Sequence, residues 1–378
     1  MKFMHLTVLP ASGFWLKLTG MIVSLILFGL ALPLKASAEL AANPVGQTWL
    51  KFHDSSRQAW GSEEARPLNL LVWYPASEGS QESREDIAIF KGEVVATNAP
   101  VRQAAKPYPL IVLSHGTGGS AISMAWFGRA MAARGYIVVG MNHHGNTAYE
   151  GELKLEGFVA WWDRPRDISV ALDKLLKDSV WSQYIDHNRI ALAGFSIGGY
   201  TVLANAGARA DYASWQKFCD LRSDNPNCKL PPEAKFSAAE LKTAFASNPR
   251  LQQALTRIAD DYRDPRVKAV LAMAPVMASA MTRASLQSIT IPVNIVVGSA
   301  DDQAIPAMNA EVYAGQIPNA QLAILAGYSH YGFLAECTTR GQLFASNFCS
   351  DKPGLSRLDL HRNTVNRADD FFKRVLPI

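Results

Sequence analysis

Apolar runs recur along most of the chain and alternate with segments of helical character. Such runs are typical of strands buried on both faces of a parallel sheet. They cover residues 68–75, 109–114, 135–141, 189–193, 267–273, 292–298 and 321–325. The intervening segments predict helices over residues 123–134, 164–176, 200–204, 308–314 and 357–375. Strands that alternate with helices form a mostly parallel, doubly wound α/β sheet with helices on both faces.

Three segments interrupt this alternation. Residues 39–66 are polar and mixed, and residues 76–106, rich in Ser, Glu and Lys, predict a surface excursion. Residues 208–262 contain Pro231-Pro232 and two helical-looking segments. We interpret them as a lid or cap inserted over the carboxyl edge of the sheet, within one domain that spans residues 39–378.

The first 38 residues differ from the rest in both hydropathy and charge. They contain three lysines but no Asp, Glu or Arg, and Leu18–Leu34 is almost wholly apolar. Small residues precede a possible cleavage point after Ala38. This pattern predicts a secretory signal peptide over residues 1–38, and hence a periplasmic or secreted protein. An uncleaved membrane anchor is the alternative.

Charge and composition exclude several function classes. The formal net charge of +4 becomes +1 without the three N-terminal lysines, and the chain has no basic run or stripe. We therefore expect no nucleic-acid partner. The chain also has no phosphate loop and no dinucleotide fingerprint, so no cofactor is expected. The oligomeric state is left open.

The four cysteines form two local pairs beyond the export signal. In an oxidising compartment we expect the disulfides Cys219–Cys228 and Cys337–Cys349. Four cysteines allow three connectivities, and the other two stay open at this point. The spacing matches no zinc-binding pattern.

The most informative short motif is Gly194-Phe195-Ser196-Ile197-Gly198, between a predicted strand and a predicted helix. In this G-x-S-x-G context the serine lies on a sharp, strained turn that holds its hydroxyl clear of the sheet. The glycines leave room for the strand and the helix to approach. Ser196 is thus a candidate nucleophile, with a plain structural Gly-Ser turn as the alternative.

A serine nucleophile needs a base, and the base needs an orienting carboxylate. His330 follows the last predicted strand, and Asp301 follows the strand before it. We expect both to meet Ser196, because loops after parallel strands gather at one edge of the sheet. Asp302 is the rival carboxylate. Asp301 is favoured because it stands three residues after Gly298, which ends the strand.

An early glycine-rich loop, residues 115–119, follows the strand over 109–114. Its backbone can approach a substrate closely, so the N–H groups of Thr117 and Ile197 are candidate oxyanion donors. We expect His115 to bond to the loop backbone. His143 and His144 could line a pocket or bind a metal, but neighbouring side chains in an extended chain point apart, so no metal site is expected.

Together these stretches resemble a known family. The chain is similar to α/β-hydrolases, and among them to bacterial predicted dienelactone hydrolases and the related platelet-activating factor acetylhydrolases. The similarity rests on Val72-Trp73-Tyr74-Pro75, Leu113-Ser114-His115-Gly116, Arg164-Pro165-Arg166-Asp167, residues 194–199 and Tyr328-Ser329-His330. Dienelactone hydrolases proper use a cysteine nucleophile, whereas this chain has Ser196.

The resemblance implies a serine esterase for short or oxidised acyl esters. It supports Ser196, Asp301 and His330 as the catalytic triad and the N–H groups of Thr117 and Ile197 as the oxyanion hole. The expected partner is a small-molecule ester. Two alternatives stay open: a prolyl-oligopeptidase-like peptidase or amidase, and a non-catalytic binding protein on the same fold.

Overall fold

A computed structural model describes residues 44–376 except 224, 226 and 227. The signal peptide predicted over residues 1–38 lies outside the described residues. The strands are β1 Val45–Gln58, β2 Ala65–Pro75, β3 Ser83–Arg84, β4 Val94–Thr97, β5 Tyr108–Ser114, β6 Ile137–Asn142, β7 Ile185–Phe195, β8 Val267–Met273, β9 Val293–Gly298 and β10 Ala320–Leu325. The helices are α1 Ala125–Ala132, α2 Leu155–Val159, α3 Arg164–Leu175, α4 Ile197–Ala206, α5 Tyr212–Leu221, α6 Ala238–Ser247, α7 Pro249–Leu255, α8 Arg283–Gln287, α9 Ala310–Gln316, α10 Thr339–Phe344, α11 Ser346–Cys349 and α12 Arg357–Val375.

Within the described residues, the strands form one sheet in the order β10-β9-β8-β7-β5-β6-β2-β1-β4-β3. The run from β10 to β6 is parallel, and β2 pairs antiparallel with both β6 and β1. The chain passes from β5 to β6 on one side and returns to β7 on the other. The sheet therefore has a switch point between β5 and β7, where open α/β sheets place their ligands.

Burial follows strand position. Every residue of β5, β6 and β9 is buried, as expected for strands covered on both faces. Along β1 the exposure alternates, and Trp49 is partly exposed. This long strand was missed in the sequence because only one of its faces is covered, so its composition is polar.

Amphipathic helices cover the two faces. Helix α12 has the bounds that its periodicity predicts, and it buries Leu360, Val365 and Phe372. Its N-cap is Ser356, whose side chain accepts from the N–H of Asp359. Lys373 and Arg374 lie in the last turn, where positive charge offsets the helix dipole.

The segment over residues 208–262, predicted as an insertion with two helical segments, contains three α-helices among its described residues. No residue of α5 or α6 is buried, whereas α7 buries Leu251 and Ala254. These two side chains join the smaller of two apolar clusters, with Trp162 and Ile197. The insertion thus has an embedded helix, α7, and an outer part over residues 212–247, which we call the outer insertion.

The structure joins the cysteine pairs that the spacing predicts. Cys219 is bonded to Cys228 in the outer insertion, and Cys337 to Cys349 beyond the last strand. In the part of the chain that the structure describes, no helix is both long enough and apolar enough to span a bilayer.

Candidate active site

Ser196 lies between the last residue of β7 and the first residue of α4. Its backbone has φ 58° and ψ −120°, a conformation that residues with a side chain rarely adopt. Its N–H donates to the carbonyl of Met273 on β8 (2.9 Å). Such backbone strain costs about 1–3 kcal/mol and persists only where the surroundings enforce it. The result is a serine hydroxyl held above the carboxyl edge of the sheet.

The neighbouring glycines permit this turn. A Cβ at Gly194 would lie 2.1 Å from the carbonyl oxygen of Gly198, and one at Gly198 would lie 2.1 Å from that of Ser114. Both obstacles are backbone, which cannot rotate away. These glycines are therefore required by the close approach of α4 to β7 and β5.

The three residues expected to meet at this edge do so. Nε2 of His330 lies 2.9 Å from Oγ of Ser196, and its Nδ1 lies 2.8 Å from Oδ2 of Asp301. His330 and Asp301 are both buried. The other oxygen of Asp301, Oδ1, accepts from the N–H groups of Gln303 (3.0 Å) and Ala304 (2.6 Å). Asp302, the rival carboxylate, is exposed to solvent.

Side chains from helices α12 and α1 bond to the loop that carries His330. His361 bonds through Nε2 to the carbonyls of Gly332 and Leu334, both at 3.0 Å. Trp126 stacks on the His361 ring and donates to the carbonyl of Phe333 (2.9 Å). Burial, with Arg357 nearby, lowers the pKa of His361 to about 3, so the ring is neutral and donates through Nε2.

The glycine-rich loop lies beside Ser196. Among the described residues, no hydrogen bond engages the N–H of Thr117 or of Ile197, and both residues line the same cavity as Ser196. The loop is fixed at Gly118, whose N–H donates to Oδ1 of Asn146 (2.6 Å). His115 bonds to the backbone of Gly116, as expected. Two N–H groups are thus free to stabilise an anion.

Sequence reasoning missed a buried polar network beneath this loop. Nε2 of His143 lies 2.9 Å from Oγ of Ser114, and its Nδ1 lies 3.0 Å from Oδ2 of Asp167. Asp167 also accepts from Arg57 and Arg66. Burial lowers the pKa of His143 to about 3, and the two arginines hold the pKa of Asp167 well below its usual range despite burial.

The available signal for this network was the segment Arg164-Pro165-Arg166-Asp167, whose last residue is the carboxylate that His143 contacts. His144 has partners other than those of His143: its Nδ1 lies 2.8 Å from Oε1 of Glu150, and its Nε2 accepts from the N–H of Trp60 (2.8 Å). No group of three potential metal ligands occurs among the residues that the structure describes.

Ser196 and His330 open into a cavity of about 720 Å³. Its walls are largely aromatic and aliphatic, including Phe158, Trp161, Trp162, Trp215, Leu241, Phe245 and Met277. Polar side chains are fewer, and among them are Glu233, Lys242 and Asp302. A largely apolar cavity with a few polar groups is the usual form of a small-molecule site.

The outer insertion reaches the catalytic edge through Glu233. The hydroxyl of Tyr331, next to His330, donates to Oε1 of Glu233 (2.9 Å). A Cβ built on Gly118 would lie 3.3 Å from the Cβ of Glu233, so this residue also covers the glycine-rich loop. The sequence offered no signal for Glu233, because the contact joins segments about a hundred positions apart.

Known proteins resemble parts of this chain. The family model described as serine aminopeptidase, S33, matches residues 105–336. Dipeptidyl-peptidase 5 of Porphyromonas endodontalis is 34% identical over 118 residues, which are 28% of this chain and 15% of that protein. A cutinase of Thermobifida alba is 32% identical over 106 residues, which are 28% of this chain and 32% of the cutinase. The chain thus matches at most about a third of either relative.

A solved structure resembles the whole fold. The ferulic acid esterase from Streptomyces cinnamoneus matches with a TM-score of 0.56 and 19% identity, over 90% of this chain and 92% of that chain. At this identity the likeness concerns the fold alone. Together with the family match over residues 105–336, this likeness confirms the α/β-hydrolase fold class that the strand and helix pattern predicts.

Proposed function

The chain belongs to the serine aminopeptidase S33 family of α/β-hydrolases, and on that premise we propose that it is an exported serine hydrolase of carboxylic esters. The proposal assigns Ser196 as nucleophile, His330 as general base and acid, and Asp301 as the carboxylate that orients His330. One observation carries it: the continuous hydrogen-bonded chain Ser196–His330–Asp301 opens into a largely apolar cavity.

The proposed reaction has two halves. Nε2 of His330 takes the proton of Ser196 as Oγ attacks the ester carbonyl, and the C–O bond to the alcohol then breaks as His330 returns the proton to the leaving oxygen. Water, deprotonated by His330, attacks the acyl carbon. The bond from that carbon to Oγ then breaks as His330 returns the proton to Oγ, which releases the acid and a free Ser196. Asp301 stabilises the imidazolium in both halves.

The N–H groups of Thr117 and Ile197 are the proposed oxyanion hole. The negative oxygen of each tetrahedral intermediate would accept from both donors. Their lack of other acceptors among the described residues means that no internal bond must break first. One such donor is worth about 2.7–4 kcal/mol of transition-state stabilisation.

The substrate is proposed to be a small-molecule ester with an apolar part. The aromatic wall, with Trp161, Trp162 and Trp215, suits an acyl chain or an aromatic acyl group. The names of the similar cutinase and ferulic acid esterase support esters as the class. The preference for short or oxidised acyl chains, which the dienelactone hydrolase and acetylhydrolase resemblance implies, is the finer part of the proposal.

Export is proposed from residues 1–38, and the outer insertion is proposed as a lid over the cavity. N-terminal sequencing of the protein recovered from the periplasm or medium tests the first point. We expect the mature chain to begin at Glu39. A chain recovered only in the membrane fraction with an intact N-terminus would contradict cleavage.

Intact-mass labelling with a fluorophosphonate tests the catalytic assignment. We expect one adduct, mapped by peptide analysis to Ser196. The variants Ser196→Ala and His330→Ala, shown to be folded by circular dichroism, should take up no label. Hydrolysis of p-nitrophenyl esters should fall in parallel.

Two outcomes would overturn the proposal. Full esterase activity in Ser196→Ala would exclude this nucleophile. A folded wild-type protein that neither reacts with the probe nor cleaves esters would favour the alternative of a non-catalytic binding protein.

A peptidase or amidase is the second candidate, favoured by the carboxylates of Glu233 and Asp302 in the catalytic cavity. A carboxylate beside the nucleophile can bind the α-amino group of a peptide. The family description and the dipeptidyl-peptidase relative agree with this candidate. Rates on matched aminoacyl p-nitroanilides and p-nitrophenyl esters separate the two, and we expect the esters to be cleaved faster.

A further inference from the structure

Five arginines line a second cavity, separate from the catalytic one. They are Arg57, Arg66, Arg166, Arg250 and Arg257. This arginine cavity has a volume of about 410 Å³ and lies where the end of β1, the start of α3 and helix α7 meet. No residue that lines it also lines the catalytic cavity. The ester hydrolysis proposed above makes no use of it.

Three of the five guanidinium groups form ion pairs with carboxylates. Arg57 pairs with Asp54 at 2.6 Å and with Asp167 at 2.7 Å, and Arg66 pairs with Asp167 at 2.8 Å. Arg257 has a longer contact with Asp163, at 3.3 Å. Nε of Arg257 is buried and has no acceptor among the described residues.

The other two guanidinium groups have no carboxylate partner within 4 Å in the described part of the chain. Arg166 donates to Oγ of Ser56 (2.9 Å). Arg250 donates to the carbonyls of Ala59 (2.7 Å) and Ser62 (3.1 Å), and it lies 5.4 Å from the centre of the Trp60 ring. These contacts hold the side chains in place but leave their charge uncompensated.

The cavity carries an excess of positive charge. Five guanidinium groups share the cavity region with three carboxylates, so two positive charges are in excess. Arginine keeps its charge at any physiological pH, so this excess of positive charge persists. A bound dianion would neutralise the excess and accept the spare N–H donors. Guanidinium groups match the oxygens of phosphate in a two-point geometry.

We propose that the arginine cavity binds a dianion of the phosphate class, contacted by Arg166, Arg250 and Arg257. The sequence does not reveal this site, because its residues are far apart along the chain. Arg166 lies in α3, Arg250 lies in α7 and Arg257 follows α7. The cavity volume lies in the range of small-ligand sites and leaves room for an organic group on the phosphate. The site is independent of the catalytic chemistry, so its test does not depend on ester hydrolysis.

Isothermal titration calorimetry of the chain from Glu39 to Ile378, with inorganic phosphate and with glycerol 1-phosphate, tests the proposal. Ionic strength is held constant with sodium chloride. We expect saturable binding of at least one of the two ligands at one site per chain. Tighter binding of glycerol 1-phosphate identifies a phosphomonoester as the ligand, and equal or tighter binding of inorganic phosphate identifies the free anion; both results support the site.

The variant Arg166→Gln/Arg250→Gln should weaken binding at least tenfold. The matched control is Arg340→Gln/Arg362→Gln, which removes the same charge from exposed positions and should bind like the wild type. Circular dichroism of each variant reports whether the fold is retained. If the double variant does not fold, Arg166→Gln alone, which loses one bond to Ser56, serves instead.

Two results would overturn the proposal. One is the absence of saturable binding of either ligand to the wild-type chain. The other is an equal loss of affinity in the control variant, which would show that net charge rather than the arginine cavity attracts the anion.

Discussion

At the scale of single residues, the two oxygens of Asp301 have different partners. Oδ2 faces Nδ1 of His330, and Oδ1 accepts two backbone N–H groups from Gln303 and Ala304. These bonds fix the direction of the carboxylate. Asp302, its neighbour, lies at the exposed side of the same turn.

Asp301→Asn should therefore lower kcat for a p-nitrophenyl ester by about 10³–10⁴-fold, because an amide no longer holds the required imidazole tautomer. The matched control, Asp302→Asn, should change kcat by less than about threefold. Steady-state kinetics on both variants checks this. Similar losses in the two variants would contradict the assignment of Asp301.

Asp167 is the most heavily bonded carboxylate beneath the active site. It accepts from Arg57, Arg66 and His143 while fully buried. Asp167→Asn would leave buried positive charge without its partner, and should lower the free energy of unfolding by about 3–5 kcal/mol. Urea denaturation measures the change.

Asp173 offers the control for this substitution. It also pairs with an arginine, Arg266 at 2.6 Å, but its side chain is 56% exposed. Asp173→Asn should cost no more than about 1 kcal/mol. Equal effects of the two substitutions would show that burial of the Asp167 network is not the cause.

At the scale of elements, the contact between α4 and its strands depends on glycine. A Cβ at Gly198 would meet the carbonyl of Ser114 on β5 at 2.1 Å, so α4 would have to move away from the sheet. Gly198→Ala should destabilise the protein by about 3 kcal/mol or more and slow fluorophosphonate labelling of Ser196.

Gly315 in α9 is the matched control, because a Cβ there would meet no atom within 4 Å. Gly315→Ala should stabilise the protein by roughly 0.5–1 kcal/mol, as expected when alanine replaces glycine within a helix. Thermal denaturation of the two variants checks both signs. A stable Gly198→Ala protein with normal labelling would contradict the close approach.

The outer insertion supplies cavity wall rather than core. Its helices α5 and α6 bury no residue, yet Trp215, Leu241 and Phe245 line the catalytic cavity. Replacing residues 212–247 with a flexible Gly-Ser linker, and keeping α7, should leave the protein folded. The value of kcat/KM for a p-nitrophenyl octanoate should fall by about tenfold, which corresponds to losing ~1.4 kcal/mol of apolar contact.

Hydrolysis of p-nitrophenyl acetate is the internal control for this replacement, because its short acyl group cannot reach the outer wall. We expect the rate on the acetate to change little. Equal losses on both esters would show that the insertion acts on the catalytic residues and does not contribute to substrate contact.

At the scale of the whole molecule, three buried histidines, His115, His143 and His361, couple stability to pH. Burial lowers the pKa of His115 well below its usual value. The pKa values of His143 and His361 are both lowered to about 3 by burial, from 6.5. Below pH 6.5 the unfolded chain binds protons that the folded chain excludes, so stability is lost as the pH falls from 6.5 towards 3. Each histidine contributes a slope of about 1.4 kcal/mol per pH unit in that window.

Urea denaturation at pH 7, 5 and 4 measures this loss. His361→Gln should be less stable than the wild type at pH 7, but its stability should decline less steeply between pH 6.5 and 4. Asp167, whose pKa lies well below 3.8, adds its own loss only at lower pH. Parallel pH curves for the two proteins would exclude His361 as a source of the dependence.

The local pattern of residues in the sequence determined the central strands, helix α12 and the placement of three candidate catalytic side chains. Apolar runs identified the central strands, and the periodicity of residues 357–375 predicted the bounds of α12. The motif around Ser196 and the positions of His330 and Asp301 after successive strands predicted where three side chains would meet. These features are readable because each depends on neighbours within a few residues, or on the rule that parallel strands end at one edge.

Only the tertiary structure decided the rest. It turned Asp301 rather than Asp302 towards His330, paired the polar strand β1 with β2, and joined His143 to Asp167. It also gathered arginines from the end of β1, from α3 and from α7 around one cavity. The direction of a side chain and the meeting of distant segments depend on the order of strands and the packing of helices, which no local pattern of residues encodes.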